Sequence, residues 1–339
     1  MLEVMMPEAF TFTMNEVPLP EVKENEVLID MERLGICGSD MQIYHGKHKF
    51  MSFPIVLGHE GSGTLTQVGD AVKNFAVGDR VTVQPQNFCG DCYPCRQGLY
   101  NVCEKLSVMG VHETGMSSDY FVTDASKLLK LPAELSFDQG ALIEPISVAT
   151  AAIRKVGGVA GAKVAVLGAG PIGNLVAQVA NASGAADVLI LDINPKRLTI
   201  AEQCQIPHCI NSSETPLEIA ISECFGTDGA DVILDCAGVQ QTISSAVQCA
   251  QRGSRLAVIA NFKAPVEMEL VLLQRKEVTL YGIMMYLRQD FEEAIRLVAQ
   301  GNIHTKELIT NHFPIRQIQE AYQYIDDHFA DVMKVVLTF

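Results

Sequence analysis

A two-domain α/β protein, with one β-rich domain and one doubly wound parallel sheet, is predicted by three observations. Residues 1 to about 83 carry short, Val-rich alternating runs broken by Gly and Asp, the pattern of half-buried strands joined by turns. KVAVLGAGPIG, Lys163 to Gly173, is an apolar strand run that ends in glycines and opens into an apolar helix. Beyond it, short apolar strand candidates alternate with helical stretches, as in a sheet built from βαβ units. At 339 residues the chain is long enough for two domains, each with its own core.

Composition narrows the classes of function. With 48% hydrophobic and 19% charged residues the chain reads as ordinary globular protein rather than disordered. A net charge of −15 argues against sequence-independent nucleic-acid binding, which needs Lys and Arg at phosphates, and against docking on anionic membranes. MLEVMMPEAF has no basic n-region and no apolar h-region, and no run of about 18 apolar residues offers a membrane span. The expected setting is the reducing cytoplasm, where clustered thiols hold metal more often than they form disulfides. Of the ten cysteines, Cys204, Cys209, Cys224, Cys236 and Cys249 are scattered through apolar segments and read as small buried residues.

The strand candidates of the first domain are Glu26–Glu32, Gly63–Gly69 and Asp79–Val83. Between the first two lies the stretch that carries the chemistry, GICGSD at Gly35 to Asp40 and VLGHEGSG at Val56 to Gly63. Cys37, His59 and Glu60 offer three zinc ligands, or two ligands and a supporting carboxylate. Ser39, two residues beyond Cys37, places a hydroxyl where it can pass a proton.

Next comes Cys89-x-x-Cys92-x-x-Cys95-x(7)-Cys103. Four thiolates at this spacing can close around one Zn²⁺ and leave no position for substrate, so the site is expected to be structural. A redox pair would leave two cysteines unexplained, and a DNA-reading finger needs a basic surface. Arg96 and Lys105 stand near enough in sequence to offset part of the excess negative charge. A helix is expected over Ser136–Val156, with Glu144 among Leu142, Ile143, Pro145 and Ile146. A carboxylate in such surroundings must neutralise, pair or bind metal.

In the second domain Gly168-x-Gly170-x-x-Gly173 sits between strand and helix, with Asp192 nineteen residues beyond Gly173 at the end of ADVLILD. In that context the glycines are a dinucleotide fingerprint: they allow the tight turn and the close approach of pyrophosphate to the helix that Pro171 and Ile172 open. Asp192 would accept hydrogen bonds from the adenosine ribose and repel a 2′-phosphate, which favours NAD over NADP. Lys196 and Arg197 lie close enough to soften that preference, and Arg197 is counted with the cofactor residues. HCIN at His208, DVILD at Asp231, RLAVIA at Arg255 and VTLYG at Val278 complete six strands. The tail from Phe291 reads as amphipathic helices and a final strand, expected to return to the first domain.

Together GICGSD, GHE, the four-cysteine lobe, LIEP and VLGAGPIG resemble the zinc-dependent medium-chain dehydrogenases over essentially the full length. The nearest branch in these motifs contains sorbitol (L-iditol), threonine and L-idonate or L-galactonate dehydrogenases. The resemblance implies a GroES-like catalytic domain (1–147 and 286–339, structural zinc lobe 89–103), a Rossmann NAD-binding domain (148–285), and a homodimer or homotetramer. It implies two zinc ions per chain, the catalytic one held by Cys37, His59 and Glu60, with Glu144 at or near the metal and Ser39 as first proton acceptor. The implied reaction moves hydride between NAD and a secondary alcohol of a polyol, sugar acid or hydroxy amino acid, or the corresponding ketone. The competing readings are a non-catalytic zinc- and NAD-binding sensor and a zinc-free quinone reductase of the same fold. Three positions depart from the branch. Gln42 replaces a relay histidine, Met285 beside Tyr286 replaces a substrate-binding arginine, and Gly115-Met116-Ser117-Ser118 replaces Gly-Gly-Phe-Ser. The relay is therefore expected to run as far as Ser39 and then reach water, with His45 and His48 as possible substitutes.

Overall fold

A computed structural model describes residues 1–48 and 51–339. The chain forms two compact units. One comprises Met1–Glu144, Leu287–Ile295 and Ile309–Phe339, and the other Pro145–Tyr286 and Arg296–Leu308.

In chain order the first unit has the hairpin strands β1 (Leu2–Glu8) and β2 (Thr11–Glu16), then β3 (Glu26–Gly35), helix α1 (Gly38–Tyr44), β4 (Glu60–Val68) and β5 (Arg80–Val83). There follow β6 (Gln86–Asn87), the one-turn α2 (Tyr93–Arg96), β7 (Ser107–Val108), β8 (Tyr120–Asp124) and β9 (Leu128–Lys130). Helix α3 (Phe137–Lys155) contains the boundary between the units. The second unit has β10 (Lys163–Leu167), α4 (Pro171–Ala182), β11 (Asp187–Asp192), α5 (Pro195–Gln203), β12 (His208–Asn211), α6 (Leu217–Phe225), β13 (Val232–Asp235), α7 (Gln240–Cys249), β14 (Arg255–Val258), α8 (Leu270–Lys276) and β15 (Thr279–Gly282). The tail adds α9 (Arg288–Ala299), β16 (Ile309–Pro314), α10 (Ile318–Asp327) and β17 (Lys334–Thr338).

The first unit is organised on a seven-stranded sheet in which β16-β17-β3-β4-β5-β9 run in order and β8 also pairs with β3. Alternation along β3 and β4 buries Val27, Ile29, Met31, Leu34 and Leu65. Each such side chain contributes about 1.5–3 kcal/mol of burial. Two pairings position the chemistry: Gly35 of β3 lies opposite Glu60 of β4, and Val336 of β17 lies opposite Gly35. Thus the last strand of the chain reaches the stretch around Cys37 and Glu60.

The second unit holds a six-stranded parallel sheet in the order β12-β11-β10-β13-β14-β15, which in order of appearance is 3-2-1-4-5-6, the doubly wound order. The inner strands β10, β11 and β13 are continuous apolar runs because both their faces are covered: Val164, Ala165, Val166, Val188, Leu189, Ile190, Val232, Ile233 and Leu234 are fully buried. The order reverses between β10 and β13, so their carboxyl ends border the crevice in which this fold binds dinucleotides. Residues 296–308 belong with this unit: His304 N–H donates to Gln178 Oε1 at 2.6 Å, and the Cys204 thiol to the His304 carbonyl at 3.8 Å. Strand β16 extends the first sheet although its sequence, ITNHFP, is largely polar and leaves no residue fully buried. No helix among the described residues is long and apolar enough to cross a membrane.

Candidate active site and cofactor fold

Cys37 is the residue before α1, in extended conformation, and its N–H donates to Asp40 Oδ2 at 2.8 Å. An acid three residues into a helix is a natural cap for the free amide at its start. Here the same carboxylate does a second task, because its Oδ1 lies 3.3 Å from His59 Nδ1. Neither atom makes a hydrogen bond of good geometry although both are buried, so the contact is electrostatic rather than a straight N–H···O bond. Burial would by itself lower the His59 pKa, but Asp40 and then Cys37 outweigh it and hold it well above the ordinary value. Across the ring, Ser39 Oγ stands 3.5 Å from His59 Nε2. Cys37, His59 and Glu60 each bring a ligand atom within 4.8 Å of the others.

Glu60 starts β4 and is buried. Both its carboxylate oxygens accept from Lys334 Nζ, each at 2.7 Å, and the same ammonium donates to the Ile36 carbonyl at 3.2 Å. Burial would lower the Lys334 pKa, and Glu60 leads the charges that raise it above its ordinary value. The missing side chain of Gly35 makes room for this pair, since a Cβ there would meet Glu60 Oε2 at 2.1 Å. Glu144 is buried on α3 and contributes to the same electrostatic setting at Lys334, but it stands outside the tight three-residue cluster.

A cysteine sulfur, an imidazole and a carboxylate converging in a largely buried pocket are a fitting donor set for zinc. The buried Asp40 oxygen against His59 is the outer carboxylate that orients such an imidazole. Asp40 and Lys334 are positions in the candidate site that reading the sequence missed. Asp40 could have been found from its place three residues after Cys37, whereas Lys334 is 274 residues from Glu60 and carries no local signal.

The second cluster is the lobe of Cys89, Cys92, Cys95 and Cys103, mutually within 4.8 Å. Sulfur atoms within it stand 3.5, 3.8 and 4.0 Å apart in the pairs Cys89–Cys103, Cys92–Cys103 and Cys89–Cys95. Tetrahedral zinc with Zn–S of about 2.3 Å demands about 3.8 Å between sulfurs, so the lobe fits a closed site. All four are free thiols, and the N–H groups of Cys89 and Lys105 point to Cys103 Sγ at 3.3 Å.

In the second unit Gly168 takes φ +99°, and a Cβ at Gly173 would lie 1.8 Å from the Gly168 carbonyl. Only glycine meets both demands. Gly170 caps α4, with Pro171, Ile172 and Gly173 forming its first turn. Asp192 ends β11 and accepts from Ala169 N at 2.7 Å through Oδ2 and from Asn194 N at 2.8 Å through Oδ1. Its carboxylate thus ties the glycine loop to the end of β11 and keeps lone pairs for a further donor. The Arg197 guanidinium reaches within 3.8 Å of where a Gly170 Cβ would stand.

The remaining expected positions fall as follows. His45 is engaged on α10, its Nε2 2.8 Å from Asp326 Oδ2. Gln42 is half-buried. Met116, Ser117 and Ser118 are buried, Met116 so closely under β4 that a Cβ at Gly61 would touch its sulfur at 2.5 Å. Met116 thus packs against Gly61, the residue after Glu60. Met285 takes φ +48°, and Tyr286 is fully buried.

Comparison with known proteins agrees with this geometry. Residues 23–133 match the family described as alcohol dehydrogenase GroES-like domain, and residues 171–300 that described as zinc-binding dehydrogenase. The 2-dehydro-3-deoxy-L-galactonate 5-dehydrogenase of Pseudoalteromonas atlantica is 38% identical over 302 residues, covering 89% of this chain and 88% of that protein. The D-xylulose reductase of Saccharomyces cerevisiae is 31% identical over 334 residues, covering 96% and 94%. An NADH-bound alcohol dehydrogenase from Escherichia coli CFT073 superposes with a TM-score of 0.93 at 30% identity, covering 100% of this chain and 99% of that one. The chain belongs to the zinc-dependent medium-chain dehydrogenases, enzymes of a GroES-like domain and a Rossmann domain that use zinc and NAD to oxidise alcohols or reduce ketones.

Proposed function

We propose that this enzyme interconverts a secondary alcohol of a sugar acid or polyol with its ketone, using NAD. The observation that carries the reading is the Cys37–His59–Glu60 cluster, with His59 and Glu60 buried and the Ser39 hydroxyl 3.5 Å from His59. A 2-dehydro-3-deoxy-galactonate dehydrogenase and a xylulose reductase among the relatives support that substrate range.

Zinc held by Cys37, His59 and Glu60 would supply the Lewis acid that makes an alcohol acidic near neutral pH. The chain's own residues then have separate tasks. Ser39 receives the alcohol proton, at a position set by the first turn of α1. Asp40 fixes the orientation of His59. Lys334 holds the Glu60 carboxylate from behind and offsets its charge, and Glu144 adds a second buried carboxylate to the pocket. The Cys89–Cys92–Cys95–Cys103 lobe holds a second, structural zinc. Gly168, Gly170, Pro171, Ile172 and Gly173 cradle the pyrophosphate at the start of α4, while Asp192 takes the adenosine ribose and sets the preference for NAD, with Arg197 beside it.

The enzyme is proposed to be cytoplasmic and a homodimer or homotetramer. Strand β15 is one open edge of its sheet and presents Leu280 at 41% exposure, while Leu270 on α8 is 68% exposed. An apolar edge of this kind is a liability unless a second copy covers it, and sedimentation reads the result. An NADH-absorbance screen of aldonates, alditols and β-hydroxy amino acids, with metal analysis of the same sample, tests the activity. NADH formed with an aldonate or alditol supports the reading. A protein that binds zinc and NADH but turns over none of them would be a binding protein of this fold.

A further inference from the structure

Asp235 is the last residue of β13, the strand that flanks β10 where the order of the parallel sheet reverses. Register places it opposite Leu167 at the end of β10 and Val258 at the end of β14. Its carboxylate is completely buried, and a single oxygen gathers the loop that follows. Oδ1 accepts from Ala237 N at 3.0 Å, Gly238 N at 3.2 Å and the Thr242 hydroxyl at 3.1 Å. The other oxygen, Oδ2, is buried without a hydrogen bond. The Asp235 carbonyl accepts from Ile259 N at 2.9 Å and Ala260 N at 3.1 Å, the first residues after β14. One residue therefore holds the loops that leave two neighbouring strands.

The loop after β13 is seated on the glycine turn. Cys236 N donates to the Leu167 carbonyl at 2.9 Å. A Cβ at Gly168 would meet Ala237 N at 3.1 Å, and one at Gly173 would meet Cys236 Cβ at 3.3 Å. On the other side Gly238 takes φ +67°, and a Cβ there would meet Ala260 Cβ at 2.8 Å. Ala237 and Gly238 thus stand between the turn that opens α4 and the loop after β14. A dinucleotide lies across this reversal, with one mononucleotide on each half of the sheet. With the adenosine ribose at Asp192 on β11, the nicotinamide half falls to the side of β13 and β14. Stability alone does not call for a carboxylate at 235, since burying one with an oxygen left unbonded is costly. An anionic acceptor does hold its donors more firmly than a neutral one, and a loop that borders a reacting group has to be held closely.

We infer that Asp235 is a positioning residue for the nicotinamide half of the cofactor, acting through the Ala237–Gly238 backbone rather than by touching the ring. The inference rests on the proposed place of the adenosine half at Asp192. Isothermal titration of the zinc-loaded protein with NADH and with AMP separates the two halves. Asp235→Ala leaves two loop amides without their acceptor, and should weaken NADH binding about 10-fold or more and AMP binding less than about 2-fold. Asp235→Asn keeps an acceptor at Oδ1 and should bind NADH within about 3-fold of the unmodified protein. If Asp235→Ala does not fold, Thr242→Val removes one of the three bonds, and should weaken NADH binding about 3-fold with AMP binding unchanged. Equal weakening of NADH and AMP, as general loosening of the domain would give, would overturn the inference. So would unchanged NADH binding in the variant that folds, or an Asp235→Asn protein as weak as Asp235→Ala. Asp192→Ala in the same titrations separates the two claims. AMP binding left unchanged by Asp192→Ala defeats the adenosine assignment alone, while the split between NADH and AMP at Asp235 stands or falls on its own. No alcohol substrate enters the measurement, so its outcome does not depend on which one the enzyme accepts.

Discussion

Lys334 Nζ lies 2.7 Å from both carboxylate oxygens of Glu60, with each side chain almost completely buried. A buried pair of this kind adds little net stability while intact, because desolvation offsets attraction, but removing one partner strands the other's charge. Lys334→Met should therefore cost about 3–5 kcal/mol in urea unfolding, and adding Glu60→Gln should recover much of that loss. Additive losses in the double variant would show that the two side chains are not coupled.

The proton path gives a prediction with opposite outcomes for two neighbours. Ser39 stands against His59 Nε2 at 3.5 Å, and loss of a positioned acid–base group typically costs about 10²–10⁴-fold. Ser39→Ala should fall in that range for kcat. His45 is committed to a partly exposed contact with Asp326, worth about 0–1 kcal/mol, so His45→Ala should leave kcat within about 2-fold. Rate–pH profiles decide it, and a collapse in His45→Ala would make His45 the relay base.

Asp192 holds the loop amides of Ala169 and Asn194 and is proposed to take the adenosine ribose as well. Asp192→Ala should raise the KM for NAD by about 10-fold or more, as for loss of a charge-assisted hydrogen bond worth about 1.5–3 kcal/mol, and should narrow the gap to NADP. Steady-state kinetics with both cofactors check this, and equal use of NAD and NADP by the unmodified enzyme would contradict it.

These assignments show why some of the molecule is readable in its sequence and some is not. Gly168, Gly170, Gly173 and Asp192 form one βαβ unit, and Cys89 to Cys103 form one lobe, so short-range spacing alone carries their geometry. The inner parallel strands β10, β11 and β13 are legible because double burial makes them continuous apolar runs. Lys334 is invisible because a lysine at the start of an apolar strand looks like an ordinary exposed end until β17 is known to lie beside β3. The polar run of β16 has no apolar period to announce it as a strand, and the 296–308 segment joins the second unit through contacts to Gln178 and Cys204 that no local pattern encodes. Asp40 was legible in principle, but a capping role hides its contact with His59.

Asp235 offers a test of buried charge away from the metal sites. Its Oδ1 accepts from Ala237 N at 3.0 Å, Gly238 N at 3.2 Å and the Thr242 hydroxyl at 3.1 Å, while Oδ2 is buried without a hydrogen bond. Burial raises its pKa above 3.8 against the lowering effect of those three bonds. A carboxyl with a raised folded-state pKa binds its proton more tightly when folded. Its contribution favours folding below 3.8 and is lost as pH rises through the raised value. Asp235→Asn keeps the acceptor and removes the charge, so the Tm of the unmodified protein should fall relative to the variant between about pH 4 and pH 7. A constant Tm difference across that range would mean that Asp235 stays equally charged in both states.

The central claim is that turnover belongs to the Cys37–His59–Glu60 cluster and not to the four-cysteine lobe. Its most direct test measures NADH formation, NADH binding and zinc content for Cys37→Ser beside Cys95→Ser, with a substrate accepted by the unmodified enzyme. Since loss of groups that only support metal ligands costs 10–100-fold, Cys37→Ser should lose about 10²-fold or more of its turnover while binding NADH normally. Cys95→Ser should lower Tm and release one zinc, with the remaining folded enzyme still active. Near-normal turnover in Cys37→Ser would contradict the account.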